Sequence, residues 1–143
     1  MARQGTPDAG LALMAQRIFA GGAYTLVAYT NAQNSLDSSA VLSTLIQPSQ
    51  TNGYSPILLD GVWSVLAGVA TYVHSAGASN DGLGNPCWYA TGGWSAAVTG
   101  VAMVFGSVVQ FFVDLKDGNG DPTTFLAAAG KKLATNCGQL ASP

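Results

Sequence analysis

The sequence predicts a mainly β protein, an antiparallel β-sandwich or barrel led by one short N-terminal helix. Three observations carry that expectation. Short runs rich in Val, Tyr, Thr and Phe recur along the chain, the residue types that fit a pleated, half-buried surface. Clusters of Gly, Asn, Asp and Pro separate these runs, as turns require. Helical spacing of apolar residues is confined to the first two dozen positions. At 143 residues the chain suits a single domain over residues 1–143, with 1–22 as N-terminal arm and helix and 23–140 as the β domain.

The helix is read first. Thr6 can cap it, Pro7 suits its first turn, and Asp8 complements the positive end of the helix dipole. Leu11, Met14, Ala15 and Ile18 recur at helical spacing, and Gly21-Gly22 ends the run. Ala23 to Thr30 then reads as a strand and Asn31 to Ser38 as a polar loop. Ala40 to Gln47 is expected as a strand, with a short helix as the alternative, and Pro48 to Tyr54 as a loop. Val62 to Val65 and Val69 to Val73 form a hairpin around Leu66-Ala67-Gly68, where the glycine is available for a left-handed or bulge position.

Ser75 to Pro86 is a twelve-residue excursion of Gly, Ser, Asn and Asp, expected at the surface. Cys87 to Ala90 is a short strand beside it. Val98 to Phe105 and Val108 to Val113 flank Gly106-Ser107, a connection with glycine first, as a type II′ turn prefers. This apolar stretch is shorter than the roughly 20 residues a membrane-spanning helix needs. It is expected as a buried hairpin. Asp117 to Pro122 is a turn, Phe125 to Ala129 one helical turn, and Lys131 to Cys137 a closing strand.

Composition narrows the function. Charged residues make up only 8% of the chain, against roughly 25% in an average soluble domain. Glu is absent. A surface so poor in charge is covered by small polar residues or buried against neighbours. The five basic residues, Arg3, Arg17, Lys116, Lys131 and Lys132, never cluster beyond a pair, and the net charge is −2. Nucleic-acid binding requires several cations tracking the phosphates, so no nucleic-acid partner is expected. No membrane partner is expected either. Residues 1–10 carry Gly5, Pro7 and Asp8 where a signal peptide needs an apolar core. Cys87 and Cys137 can pair if the fold brings them together. The simpler reading makes both small apolar fillers.

Residues capable of chemistry are few. His74 is the one histidine, and seven aspartates are scattered at 8, 37, 60, 81, 114, 117 and 121. No strained elbow surrounds a serine, so His74 reads as a strand-end residue beside a surface loop. Asp117, Asn119 and Asp121 alternate as in a calcium loop. Pro122 and Ala128 then stand where that motif needs its glycine and its bidentate acid, and the segment reads as an ordinary turn. Neither a cofactor, a metal site nor an enzymatic activity is expected. The aromatic residues Trp63, Trp88, Tyr89 and Trp94 suit a core or a subunit interface. With Asn80 and Asp81 of the polar loop, they are the candidate interface residues.

Several stretches in their order carry a resemblance: AYTLVAYTNAQNSLD (23–37), GYSPILLDGVWSV (53–65), GVATYVH (68–74), WYATGGWSAAVTGVAMVFGS (88–107) and TFLAAAGKKLATNCGQL (124–140). Together they resemble small tailed-phage virion proteins, the cyanophage-type capsid cement proteins and related minor tail proteins. The resemblance implies a β domain that trimerises on the outer surface of a phage head, after assembly in the host cytoplasm, and bridges neighbouring major capsid proteins. A tail or baseplate component is the alternative within that class. A carbohydrate-binding module presenting Trp88 and Trp94 is the alternative outside it, and a hydrolase comes last.

Overall fold

The structure is a computed structural model, and it describes residues 24–67, 69–135 and 139–141. The expected N-terminal helix, the Met1 to Thr6 arm and Cys137 lie outside the described residues. Those described form nine strands and one 3-10 turn: β1 (Tyr24–Tyr29), the 3-10 turn (Leu42–Thr44), β2 (Ile57–Leu58), β3 (Val62–Leu66), β4 (Val69–Val73), β5 (Cys87–Tyr89), β6 (Gly100–Phe105), β7 (Val108–Asp114), β8 (Lys132–Ala134) and β9 (Gln139–Ala141). They assemble into a four-stranded sheet β2-β1-β6-β7, a three-stranded sheet β3-β4-β9 and a two-stranded ladder β5-β8. The pairings of the two larger sheets are antiparallel. The mainly β, antiparallel expectation is therefore met.

The chain groups into two compact units. Of the described residues, one contains those within 59–87 and 134–141, the other those within 24–58 and 88–133. In the second unit, β1 and β6 pair over six positions, from Tyr24 opposite Phe105 to Tyr29 opposite Gly100. Val27, Tyr29, Ala102 and Val104 alternate onto one face of the sheet, where they bury against Leu45. Leu36, Leu42, Val109 and Phe112 close around them. Gly100 is required here. A Cβ at that position would stand 2.1 Å from the Tyr29 ring, and the ring's hydroxyl donates to Asp114 Oδ1 at 2.7 Å.

Three local expectations are corrected. Ala40 to Gln47 is not a strand. The Asn31 side chain donates to the Thr44 carbonyl and accepts from the Ile46 N–H, while Leu42 N–H donates to Ser107 O. These bonds hold the segment as a 3-10 turn, and the three-residue spacing brings Leu42 and Leu45 to the same core. Phe125 to Ala129 forms no helical turn. Phe125 exchanges backbone hydrogen bonds with Val98 instead. The hairpin of Val98 to Val113 is buried only on its first strand. Residues 100–104 of β6 are buried, whereas Val108, Gln110, Phe111 and Val113 of β7 are exposed.

In the first unit, β3 and β4 pair with Leu66 opposite Val69, so the connection is the two residues Ala67-Gly68. Ala67 takes a left-handed conformation with φ 51°.

Candidate interaction surface

Trp88 and Trp94 belong to the core of the second unit. Tyr54 lies edge-on to Trp94 at 5.2 Å between ring centres, and 6.0 Å from Trp88. Phe125 closes on Trp94 at 5.6 Å. The indole N–H groups are satisfied internally, Trp88 donating to Ser55 O at 2.7 Å and Trp94 to Asn52 O at 3.0 Å. Only 2% of Trp88 and 8% of Trp94 remain exposed, so neither offers a face to a glycan or a neighbouring subunit. Burial pushes the Tyr54 phenol well above its ordinary value. Asn52 reaches Trp94 by entering the left-handed region at φ 50°. Gly53 follows with φ 88°, so close to the Tyr89 carbonyl that a Cβ would sit 2.0 Å from its oxygen. Tyr89 is exposed. Trp63 occupies a β3 position opposite Tyr72.

Asn80 and Asp81 do something the sequence reading did not foresee: they build the loop. Asn80 Oδ1 accepts from the N–H groups of Gly82 and Gly84, and its amide donates to the carbonyls of His74 and Ser75. Asp81 Oδ1 accepts from Leu83 and Asn85 N–H at 2.7 and 3.1 Å, and Oδ2 from the Asn85 side chain. Leu83 sits between Gly82 (φ 85°) and Gly84 (φ 86°), and 84% of it is exposed. A hydrogen-bonded loop thus carries a single large apolar side chain at its tip. Asn80 and Asp81 position Leu83.

His74 fastens this loop to β4. Its backbone N–H donates to Gly84 O at 2.8 Å. Its ring is 4% exposed and bridges the Tyr72 hydroxyl at Nδ1, 2.9 Å, and the Ser79 hydroxyl at Nε2, 2.8 Å. Burial lowers the affinity of the imidazole for a proton, and the charge of Asp60 opposes this only in part. The Tyr72 hydroxyl also accepts from Gly61 N–H at 2.8 Å. A serine nucleophile needs an imidazole that removes its proton and a carboxylate that orients the imidazole. Asp60 lies 3.9 Å from Nδ1, beyond the hydrogen-bond distance that orients such a base.

The Asp117 turn closes on itself as read. Asp117 Oδ1 accepts from the N–H groups of Asn119 and Asp121. Among the described residues no group of three or more metal-ligating side chains converges.

The sequence reading missed the apolar residues that are exposed. Val108, Phe111 and Val113 project from β7 beside Phe105 of β6. For Leu83 a signal existed, since it is the one large aliphatic side chain between Ser75 and Pro86. Compared with protein-family models, with characterised proteins and with solved structures, the chain matches none.

Proposed function

We propose that this chain is a non-enzymatic decoration protein of a tailed-phage head, seated on the outside of the shell and bridging neighbouring major capsid proteins. In this reading its sheets pack as a sandwich or barrel behind a short N-terminal helix. The observation that carries the reading is Leu83, held exposed at the tip of a loop whose backbone is already ordered by Asn80, Asp81 and His74. An apolar anchor on a preformed loop binds without the cost of ordering the loop on contact. Such an anchor fits a protein pocket better than a solvated surface. The composition supports the same reading, because 8% charge gives little to recognise a polyanion or an ionic substrate. The 3.9 Å between Asp60 and His74 Nδ1, too long for the hydrogen bond that orients a catalytic base, also speaks against serine catalysis.

Mass spectrometry of purified particles, calibrated for stoichiometry, tests it. The reading expects on the order of hundreds of copies per particle, because shell symmetry multiplies each contact. Leu83→Asp should reduce occupancy about 30-fold at limiting protein, the equivalent of about 2 kcal/mol for one buried leucine. About six or twelve copies would place the chain at the portal or tail instead. Full occupancy by the Leu83→Asp protein would remove the loop from the contact.

A further inference from the structure

We infer that β7 is a docking edge for the β7 strand of a second copy of this chain, the two strands pairing antiparallel about a two-fold axis. β7 is the last strand of the sheet β2-β1-β6-β7. Its backbone is paired to β6 on one side, and among the described residues no strand lies on the other. A row of open donors and acceptors is a template for another strand, and proteins that must stay apart guard such edges with lysine, proline, bulges or a very short strand. β7 has seven residues, and Phe105 to Val113 contains neither charge nor proline.

Both sides of this edge are apolar. On one, Val108 is 56% and Phe111 46% exposed, with Val113 and Phe105 beside them. On the other, Val41, Leu42 and Val109 line an open cleft of about 610 Å³. An added strand alternates its side chains across the sheet, so one set lies over Phe111 and Val113 and the other reaches the cleft. This is the geometry of strand addition, in which main-chain bonds supply affinity and flanking pockets select side chains.

The lack of charge identifies the occupant. Two-fold pairing sets each residue opposite a residue of the same segment, and a charged strand would then face its own charge. A nine-residue neutral stretch meets its copy without repulsion. It also gives an acidic or basic partner nothing to read. One irregularity interrupts the strand: Val109 pairs with Val104 and Phe111 with Met103, which leaves Gln110 as a bulge. Gln110 lies near the centre of β7, so a two-fold axis there repeats the bulge in both copies and leaves regular ladder on either side. A stable interface takes about 800 Å² from each partner, near one tenth of the 8120 Å² surface of this chain. Such a contact closes after two copies. On a shell it links adjacent subunits, and it is distinct from the three-fold contact implied by the virion-protein resemblance.

Two measurements on the isolated full chain decide the matter. Sedimentation equilibrium is expected to give twice 14.5 kDa at high concentration and 14.5 kDa on dilution. Phe111→Lys should weaken the association at least tenfold with an unchanged circular-dichroism spectrum. Hydrogen exchange on the unmodified protein guards against a variant that fails to fold: residues 108–113 should gain protection with rising concentration while residues 101–104 do not change. A single-copy mass at every concentration overturns the proposal. So does a dimer or trimer in which residues 108–113 exchange independently of concentration, or one that Phe111→Lys leaves intact.

Discussion

His74 is the only imidazole in the chain, and its burial ties acid stability to the loop it holds. Its proton affinity is lowered in the folded protein, chiefly by desolvation. The unfolded chain therefore binds the proton more readily, and acid favours unfolding. The stabilisation is complete above the ordinary imidazole value of 6.5 and is lost as pH falls through the lowered one. Denaturant midpoints measured at about pH 7.5 and about pH 5 should fall with acidification. In His74→Gln, which keeps a donor and an acceptor but cannot titrate, that fall should shrink. An equal fall in both proteins would assign the acid sensitivity to other groups. Because His74 also bonds Ser79 and, through its carbonyl, Asn80, the loop should loosen in the same pH range as the unit to which it belongs.

At the scale of elements, the strands were legible because their side chains obey a local rule. β1, β3, β4, β6 and β7 fall within one or two residues of the runs of Val, Tyr and Thr that predict them. The segments misread are those decided by distant partners. Asn31 turns the 40–47 segment into a 3-10 turn, and Val98 draws Phe125 into a bridge; neither partner is visible from local periodicity. The interaction surface was misread for a related reason. Trp88 and Trp94 look like anchors in sequence, yet Ser55 and Asn52 accept their indole protons inside the core. Asn80 and Asp81 were placed in the right loop, but their contribution is its shape. Asp81→Ala tests that contribution directly. It removes three hydrogen bonds from the loop and should cost about 1 kcal/mol of global stability. It should weaken particle binding about as much as Leu83→Asp does, because a disordered loop must be ordered on contact. Unchanged particle binding by a folded Asp81→Ala protein would show that a preformed loop is not required.

For the whole molecule, scarcity of charge sets how any assembly responds to its solvent. With a net charge of −2 and 8% charged residues, steering and ion pairing contribute little at any ionic strength. In the proposed contacts, the apolar side chains exposed on the loop and on β7 supply the free energy of association. Screening shortens from about 10 Å at 0.1 M salt to about 3 Å at 1 M, and a contact built on ion pairs would release across that range. A contact built on Leu83 and on the β7 edge should survive it. Ammonium sulfate should tighten it further, because excluded salts raise the cost of exposing apolar surface. The measurement is retention of the chain on purified particles, and of the two-copy mass in isolation, between about 0.05 and 1 M sodium chloride and then in sulfate. Release by 1 M chloride would mean that the scattered aspartates and lysines, rather than the apolar tips, make the contact.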